Sequence, residues 1–167
     1  WGREVLLSPS FDIGLSGLET QKSLAEWSML GVQQVNGQPL PNVAIDDASV
    51  LLPAGYRGPA FLIYNNYRTT MVWNRSHLYA LAVGHLSDRL VGKGKLRSAL
   101  GDVSPLSRHD ILDLQLRLNA LGFNAGKPDG RAGPMTWKAI KEYQRKHNKP
   151  ADGFPNSELI EHVRRQS

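Results

Sequence analysis

The sequence predicts an α+β protein in two parts: a small irregular β-rich lobe plus a helix, and then a three-helix module. The first half contains short apolar runs separated by Gly, Pro and Asn, which is typical of short strands joined by turns. The stretch near residue 80 and the region after residue 106 instead repeat apolar residues at helical spacing. We expect one domain over residues 1–92, a linker over 93–105 and a second domain over 106–167.

Composition limits the classes of protein and site. The chain has 167 residues, 41% of them apolar, which is enough for two small cores. It has no cysteine, which excludes disulfides and thiolate metal sites within it, and no apolar run approaches the ~20 residues that span a bilayer. Its first residue is Trp1 rather than Met, which indicates a processed or truncated chain.

The formal net charge of +5 is concentrated in the second half, where residues 108–167 carry eleven Lys/Arg against seven Asp/Glu. Such an excess suits an acidic polymer, although a solvated surface without a charged partner explains it equally well. No zinc-finger spacing, RNA-binding aromatic motif or Arg/Asn-rich recognition helix is present. The sequence therefore predicts no nucleic-acid partner.

The first lobe is predicted to hold four short strands and one short helix. Thr20 is a candidate N-cap for a helix in which Leu24, Trp27 and Leu30 lie on one face and Gly31 ends the helix. Apolar residues between turn signals predict strands at residues 5–7, 32–35, 50–52 and 61–64.

A longer helix is predicted from Asn74, its candidate N-cap, to about Leu90. Its apolar positions follow one helical face: Tyr79, Ala82, Val83, Leu86 and Leu90. Because the β-rich lobe offers little to cover this face, we expect an upstream helical lobe of the complete protein to pack on it.

The last 60 or so residues predict three helices. Gly122 ends the first, Pro134 begins the second, and the third starts near Asn156. An Asp-Gly pair stands between successive helices, at 129–130 and at 152–153, as a weak internal repeat. The predicted core positions are Ile111, Leu114, Leu118, Leu121, Ala139, Ile140, Tyr143, Leu159, Ile160 and Val163.

Residues 58–90 carry a family pattern: a buried strand at 61–64, Asn66-Tyr67, Trp73-Asn74-Arg75-Ser76, and a helix with the Tyr-Ala-x-Ala-Val sequence at 79–83. This pattern resembles the lytic murein transglycosylase B family, although Trp73 stands where the family often has Tyr. The resemblance implies part of a lysozyme-like domain. The family's catalytic Glu, in a Glu-Ser-x-Phe-Gly motif, is missing, so the chain looks like the C-terminal part of such an enzyme and is predicted to be inactive alone.

In that family a single Glu protonates the glycosidic oxygen and then serves as base while the muramoyl C6 hydroxyl attacks the anomeric carbon. The chain's own acidic candidates are poorly suited to this role. Asp46 and Asp47 are adjacent, so on a strand they point to opposite faces and cannot flank one bond. No catalytic residue is assigned among the candidates, which are Glu4, Glu19, Glu26, Asp46 and Asp47.

A second pattern covers residues 106–164: Leu114-Gln115, Leu118-Asn119, Leu121-Gly122, Asp129-Gly130, Gly133-Pro134, Tyr143-Gln144 and Asp152-Gly153. It resembles the three-helix peptidoglycan-binding domain of cell-wall hydrolases. Backbone N–H groups of its Gly-rich turn can receive a stem-peptide carboxylate. The predicted binding residues are Asp129, Gly130, Arg131, Gly133, Thr136, Trp137 and Gln144.

Substrate contacts in the first domain are predicted from the first resemblance: Asn66, Tyr67, Trp73, Asn74, Ser76 and Tyr79. Aromatic rings stack on sugars, but at helical or strand spacing they are more often core, and Ser76 equally fits a helix cap. The five histidines, at 77, 85, 109, 147 and 162, lack metalloprotease spacing. They are predicted to lie on the surface, and no metal or cofactor is expected.

Together the two resemblances imply a lytic transglycosylase that cleaves the MurNAc–GlcNAc bond with formation of 1,6-anhydro-MurNAc. Its partners would be peptidoglycan glycan strands, stem peptides and the upstream catalytic lobe, in the periplasm or cell envelope of a bacterium. One alternative is a non-catalytic peptidoglycan-binding or anchoring protein. Another is a module serving an amidase or transpeptidase, against which the pattern at residues 66–83 argues.

Overall fold

The structure, a computed structural model, describes residues 1–98 and 105–166. The chain divides into two compact units, one comprising Trp1–Pro53 and Arg57–Ala99 and the other Ala54–Tyr56 and Leu100–Ser167. The predicted α+β class is confirmed, because the described residues form a small antiparallel sheet and six α-helices. Within them no helix has the length and hydropathy needed to cross a bilayer.

The sheet of the first unit has four short antiparallel strands in the order β2-β1-β4-β3. Three of them lie within one residue of their predicted positions, and the first begins three residues earlier than predicted. In chain order the strands are β1 (Gly2–Leu7), β2 (Val32–Gln34), β3 (Ser49–Leu51) and β4 (Ala60–Ile63).

Both faces of the sheet are covered, so all four residues of β4 are buried. On one face Phe61 and Ile63 join Tyr67 and Ala80 in a core cluster that Trp1 extends. Because side chains alternate along a strand, Leu62 points to the opposite face. A sheet buried on both sides gives apolar runs rather than alternation, as the sequence shows here.

The short helix α1 spans Leu24–Met29. Its N-cap is Ser23, not Thr20 as predicted, and Glu26 completes a reciprocal capping box with it. The side chain of Trp27 is fully buried, and its indole N–H donates to the Ala48 carbonyl at 3.0 Å. This bond ties the helix to the segment that leads into β3.

The sequence missed one helix, α2, over Asn65–Trp73. Its Asn, Thr and Val content is unfavourable for a helix, so local propensity predicts no element here. The hydroxyls of Thr69 and Thr70 donate to the carbonyls of Asn65 and Asn66, four residues earlier, which satisfies them within the helix.

Helix α3 spans His77–Leu90, so it begins two residues later than predicted and ends where predicted. Its N-cap is Ser76, whose hydroxyl accepts from the Tyr79 N–H, whereas Asn74 is the C-cap of α2. The predicted apolar face is exposed in this chain, and the stripe through Ala80 and Gly84 is buried instead. Small residues on that stripe bring the helix close to its neighbours, since a Cβ on Gly84 would lie 2.3 Å from the Trp1 ring.

The second unit contains three helices, α4 (Arg108–Ala120), α5 (Pro134–Lys146) and α6 (Ser157–Gln166). Their starts agree with the predicted signals: Pro134 is the first residue of α5, and Asn156 accepts the Leu159 N–H at 2.7 Å. Nearly all the predicted core positions are buried in one cluster, with Leu121 at its edge.

The predicted linker at 93–105 is only partly described, because residues 99–104 lie outside the described ranges. Its first part is bound to the first unit. Lys93 forms an ion pair with Asp88 at 2.8 Å, and the Ser98 N–H donates to Glu4 at 2.6 Å. Leu96 also packs against the core cluster around Phe61.

Candidate functional site

The junction between α2 and α3, residues 73–76, presents an exposed aromatic ring beside exposed polar groups. Trp73 is the last residue of α2, and its side chain is 88% exposed. The side-chain oxygen of Asn74 accepts from the Ser76 N–H at 3.1 Å, which fixes the turn. The junction therefore presents the indole ring of Trp73 to solvent next to a hydrogen-bonded turn.

The same side of α2 carries a second exposed polar residue. Asn66 lies seven residues before Trp73, which is close to two helical turns, so the two residues share one face. Tyr79, in the first turn of α3, is 46% exposed. The structure thus places Asn66, Trp73, Asn74, Ser76 and Tyr79 at the surface of two consecutive helices.

Tyr67 differs from the other predicted contact residues because its side chain is fully buried. Its hydroxyl lies 2.8 Å from Nδ1 of His77 and donates to the His77 carbonyl at 3.3 Å. The two rings are also stacked, with centroids 6.1 Å apart. Tyr67 joins the two helices from beneath rather than presenting a ring to a ligand.

The histidines were predicted to lie on the surface, but only His109 is exposed and the other four are half-buried. Burial lowers the pKa of His77, and Glu19 only partly offsets the effect. The unfolded state, with a His pKa of about 6.5, therefore binds a proton at a higher pH than the folded state does. The stability that depends on neutral His77 is therefore fully present above a pH of about 6.5. It is lost as the pH falls through the pKa of His77 in the folded protein.

We expect the first unit to lose thermal stability between pH 7.5 and pH 5, and His77→Asn to lose less over the same interval. Melts followed by tryptophan fluorescence at both pH values provide the measurement. His85→Asn, on the same helix, is the matched control and should behave like the unaltered chain. Equal losses in all three proteins would contradict the assignment.

The exposed side of α3 is apolar. Leu86 is 59% exposed and Leu90 is 79% exposed, and Val83 and Tyr79 continue the same stripe. Exposed apolar residues at this spacing form a continuous surface.

The acidic groups of the first unit whose pKa values are shifted are all shifted downward. Burial pushes the pKa of Glu4 upward, but hydrogen bonds from Ser98 and from the Arg97 backbone outweigh it. Burial likewise raises the pKa of Asp88, and bonds from Lys93 and Trp1 reverse it.

Three further acidic residues of this unit are Glu26, Asp46 and Asp47. Hydrogen bonds from Ser23 lower the pKa of Glu26. Asp46 is exposed, and Asp47 is half-buried beside it. Neither Glu4 nor Glu26 nor Asp88 has the raised pKa that a glycosidic general acid needs.

In the second unit, a buried glutamine organises the loop before α5. The Gln115 side-chain oxygen accepts from the N–H groups of Asp129 and Gly130 at 3.0 and 2.9 Å. Its nitrogen donates to the Arg131 carbonyl and the Thr136 hydroxyl, both at 3.0 Å. Gln115 is missing from the predicted site, although its place in the Leu-Gln motif before Asp-Gly was a signal for this role.

Gln144 repeats this arrangement at the next loop. Its oxygen accepts from the Gly153 N–H at 2.9 Å, and its nitrogen donates to the Asp152 carboxylate at 2.7 Å. Gly130 and Gly153 adopt nearly the same positive φ, 73° and 72°. The Asp-Gly repeat in the sequence therefore corresponds to two turns, each held by a buried glutamine.

Of the predicted wall-binding residues, Thr136 and Gln144 are buried, and their polar atoms hold loops. Asp129 and Arg131 are exposed, whereas Trp137 is half-buried. Gly133 is the N-cap of α5, and Gly130 is buried against Arg108. The exposed members are the ones a ligand can reach.

Residues 1–88 match the family described as Transglycosylase SLT domain, over more than half of the chain. The chain belongs to the transglycosylase SLT domain family. Residues 107–162 match the family described as Putative peptidoglycan binding domain. The α2–α3 junction thus lies within the transglycosylase SLT domain, and the glutamine-held turns lie within the peptidoglycan-binding domain.

The chain is also similar to SltB3 from Pseudomonas aeruginosa. A crystal structure of SltB3 in complex with NAG-anhNAM-pentapeptide matches 98% of the chain at 45% identity with a TM-score of 0.89. A second, in complex with NAG-NAM-pentapeptide, matches at 46% identity with a TM-score of 0.88. The chain covers only 44% of SltB3.

Among curated proteins, the N-acetylmuramoyl-L-alanine amidase CwlM of Mycobacterium tuberculosis is 40% identical to this chain over 57 residues. That stretch is 34% of this chain and 14% of CwlM.

Proposed function

We propose that this chain is the C-terminal part of a B-type lytic transglycosylase that cleaves the MurNAc–GlcNAc bond of peptidoglycan and leaves 1,6-anhydro-MurNAc. The observation that carries the proposal is the match of 98% of the chain to SltB3 bound to NAG-anhNAM-pentapeptide. The chain spans less than half of SltB3, which leaves room for an upstream lobe with the catalytic Glu. The periplasm or cell envelope of a bacterium is the corresponding location.

In this proposal the α2–α3 junction is one wall of the glycan cleft. The indole of Trp73 stacks on a sugar ring, and Asn66, Asn74, Ser76 and Tyr79 supply the neighbouring contacts. Tyr67 supports the wall from beneath through His77.

The exposed apolar face of α3 receives the upstream lobe. Tyr79, Val83, Leu86 and Leu90 together present more apolar side chain than isolated surface residues normally do. Covering them stabilises the complete enzyme and brings the acid-bearing lobe to the second wall of the cleft.

We expect Trp73→Ala to reduce kcat/KM of the complete enzyme on purified peptidoglycan by about tenfold, the scale of one lost ring-stacking contact. Its melting temperature should stay unchanged because the indole is 88% exposed. Val72→Ala removes an equally exposed neighbour and is the control. Asn74→Ala should reduce activity and also cost about 0.5–1 kcal/mol through the lost bond to Ser76. Unchanged activity in Trp73→Ala would remove the residue from the cleft.

The second domain is proposed to bind insoluble peptidoglycan, glycan strands and stem peptides included. Its basic excess suits a polymer that carries free carboxylates, and Arg131 is an exposed cation of the turn before α5.

We expect the chain, and residues 106–165 alone, to sediment with purified sacculi. Arg131→Gln should lower the bound fraction, whereas Lys138→Gln, an equal loss of charge at another exposed position of the domain, should not. Recovery of the unaltered chain and of residues 106–165 in the supernatant would exclude wall binding.

A further inference from the structure

A groove on the second unit lies between the first turns of α4 and the loop before α5. Its volume is about 350 Å³, within the range of small-ligand pockets. The lining residues are Arg108, His109, Leu112, Pro128 and Asp129. Apart from Asp129, none of them belongs to the predicted wall-binding site.

Arg108 is held in place across the Asp129-Gly130 turn. Its Nε donates to the Asp129 carbonyl at 3.1 Å. A Cβ on Gly130 would lie 2.5 Å from Cγ of Arg108, so the missing side chain at 130 makes room for the arginine stem. The two terminal guanidinium nitrogens make no hydrogen bond within residues 1–98 and 105–166. The cation is therefore ordered at its base while its paired donors stay available.

The rest of the groove has an apolar floor and a polar rim. Leu112 and Pro128 are half-buried and form the floor, and His109 is exposed beside Arg108. The Asp129 carboxylate is already engaged, since its Oδ1 accepts from the Arg131 N–H at 2.8 Å and from Gln115 at 3.3 Å. A ligand in this groove can contact the guanidinium group of Arg108 and the small apolar surface of Leu112 and Pro128.

We propose that this groove binds the free C-terminal carboxylate of a short peptide that ends in a small apolar residue such as alanine. This inference rests on the proposed wall-binding function. The two terminal nitrogens of Arg108 match both oxygens of a carboxylate, His109 adds a donor, and the terminal methyl packs on Leu112 and Pro128. Carboxylates inside a stem peptide have the same chemistry, but the apolar floor suits the chain end.

The test is a titration of the isotope-labelled full chain, followed by amide NMR shifts, with the synthetic pentapeptide Ala-γGlu-Lys-Ala-Ala as free acid and as C-terminal amide. We expect the free acid to shift the amides of Arg108, His109, Leu112 and Asp129, and the amide form to bind about tenfold more weakly. The amide form lacks the C-terminal carboxylate but keeps the internal one. A difference in binding between the two forms is therefore due to the C-terminal carboxylate. Equal binding of the two forms, or shifts elsewhere only, overturns the proposal.

Variants locate the contact. Arg108→Gln should remove the preference for the free acid, and Arg108→Lys should retain part of it because the charge stays and the fork is lost. Lys138→Gln is the control and should bind like the unaltered chain, while the dispersion of each spectrum reports folding. An unchanged preference in folded Arg108→Gln also overturns the proposal.

Sedimentation with sacculi, measured in parallel, keeps the two claims apart. A chain that sediments but does not distinguish acid from amide retains wall binding and loses this subsite. A chain that neither sediments nor binds the free acid loses both.

Discussion

Purified sacculi incubated with this chain alone are expected to release no 1,6-anhydro-muropeptides, whereas the complete protein is expected to release them. Catalysis needs a carboxylic acid of raised pKa held against the glycosidic oxygen between two walls. The pKa values of Glu4, Glu26 and Asp88 lie below their ordinary range, and each side chain is occupied by hydrogen bonds. In the proposed enzyme the α2–α3 junction supplies only one of these walls.

Mass analysis of the soluble products provides the measurement, and digestion of the same sacculi by a muramidase shows that they are cleavable. Anhydro-muropeptides released by this chain alone would mean that the catalytic acid lies within it. If the complete protein sediments with sacculi but also releases nothing, the non-catalytic anchoring alternative replaces the proposed enzyme. The outcome thus separates catalysis from wall binding.

Gln115→Leu is expected to destabilise the second unit by about 3 kcal/mol, because four buried or part-buried groups that bond to its amide lose their partner together. Those groups are the N–H groups of Asp129 and Gly130, the Arg131 carbonyl and the Thr136 hydroxyl. The leucine fills a similar volume, so the loss measures the polar network more than a cavity. For a unit this small the melting temperature should fall by more than about 10 °C.

Thermal melts of residues 106–167 provide the measurement. Gln166→Leu, an exposed glutamine of the same unit, is the matched control and should change stability by less than about 0.5 kcal/mol. Gln144→Leu should also destabilise the unit, since it frees the Gly153 N–H and the Asp152 carboxylate. A melting temperature within 2 °C or so of the original in Gln115→Leu would show that the loop is held by other contacts.

Elements with strong local signals were predicted well. The α5 start at Pro134 and the α6 cap at Asn156 are set by backbone geometry that neighbouring residues impose, and both lie where expected. The buried strand β4 was visible as an apolar run between turns. In these cases a few adjacent residues are enough to determine the local backbone structure.

Elements that depend on distant partners were not predicted. Helix α2 has weak intrinsic preference and is held by the packing of Tyr67 between the sheet and His77. Asn74 is as good a cap as Ser76, and the choice between them is made by where the helices pack. The Ser23 cap, by contrast, had a local signal in its capping box with Glu26, which the prediction of Thr20 overlooked.

Local sequence signals were sufficient for the class of fold, the order of the strands and of all helices but α2, and the two family patterns, because periodicity, turn residues and caps act over a few residues. Which of several chemically similar residues a ligand can reach depends instead on long-range packing. Trp73 and Tyr67 are both aromatic residues of one helix, yet one is exposed and the other buried. Likewise, Gln115 and Arg108 acquire their roles from the Asp129-Gly130 turn, which lies more than ten residues away in the sequence and folds back onto them.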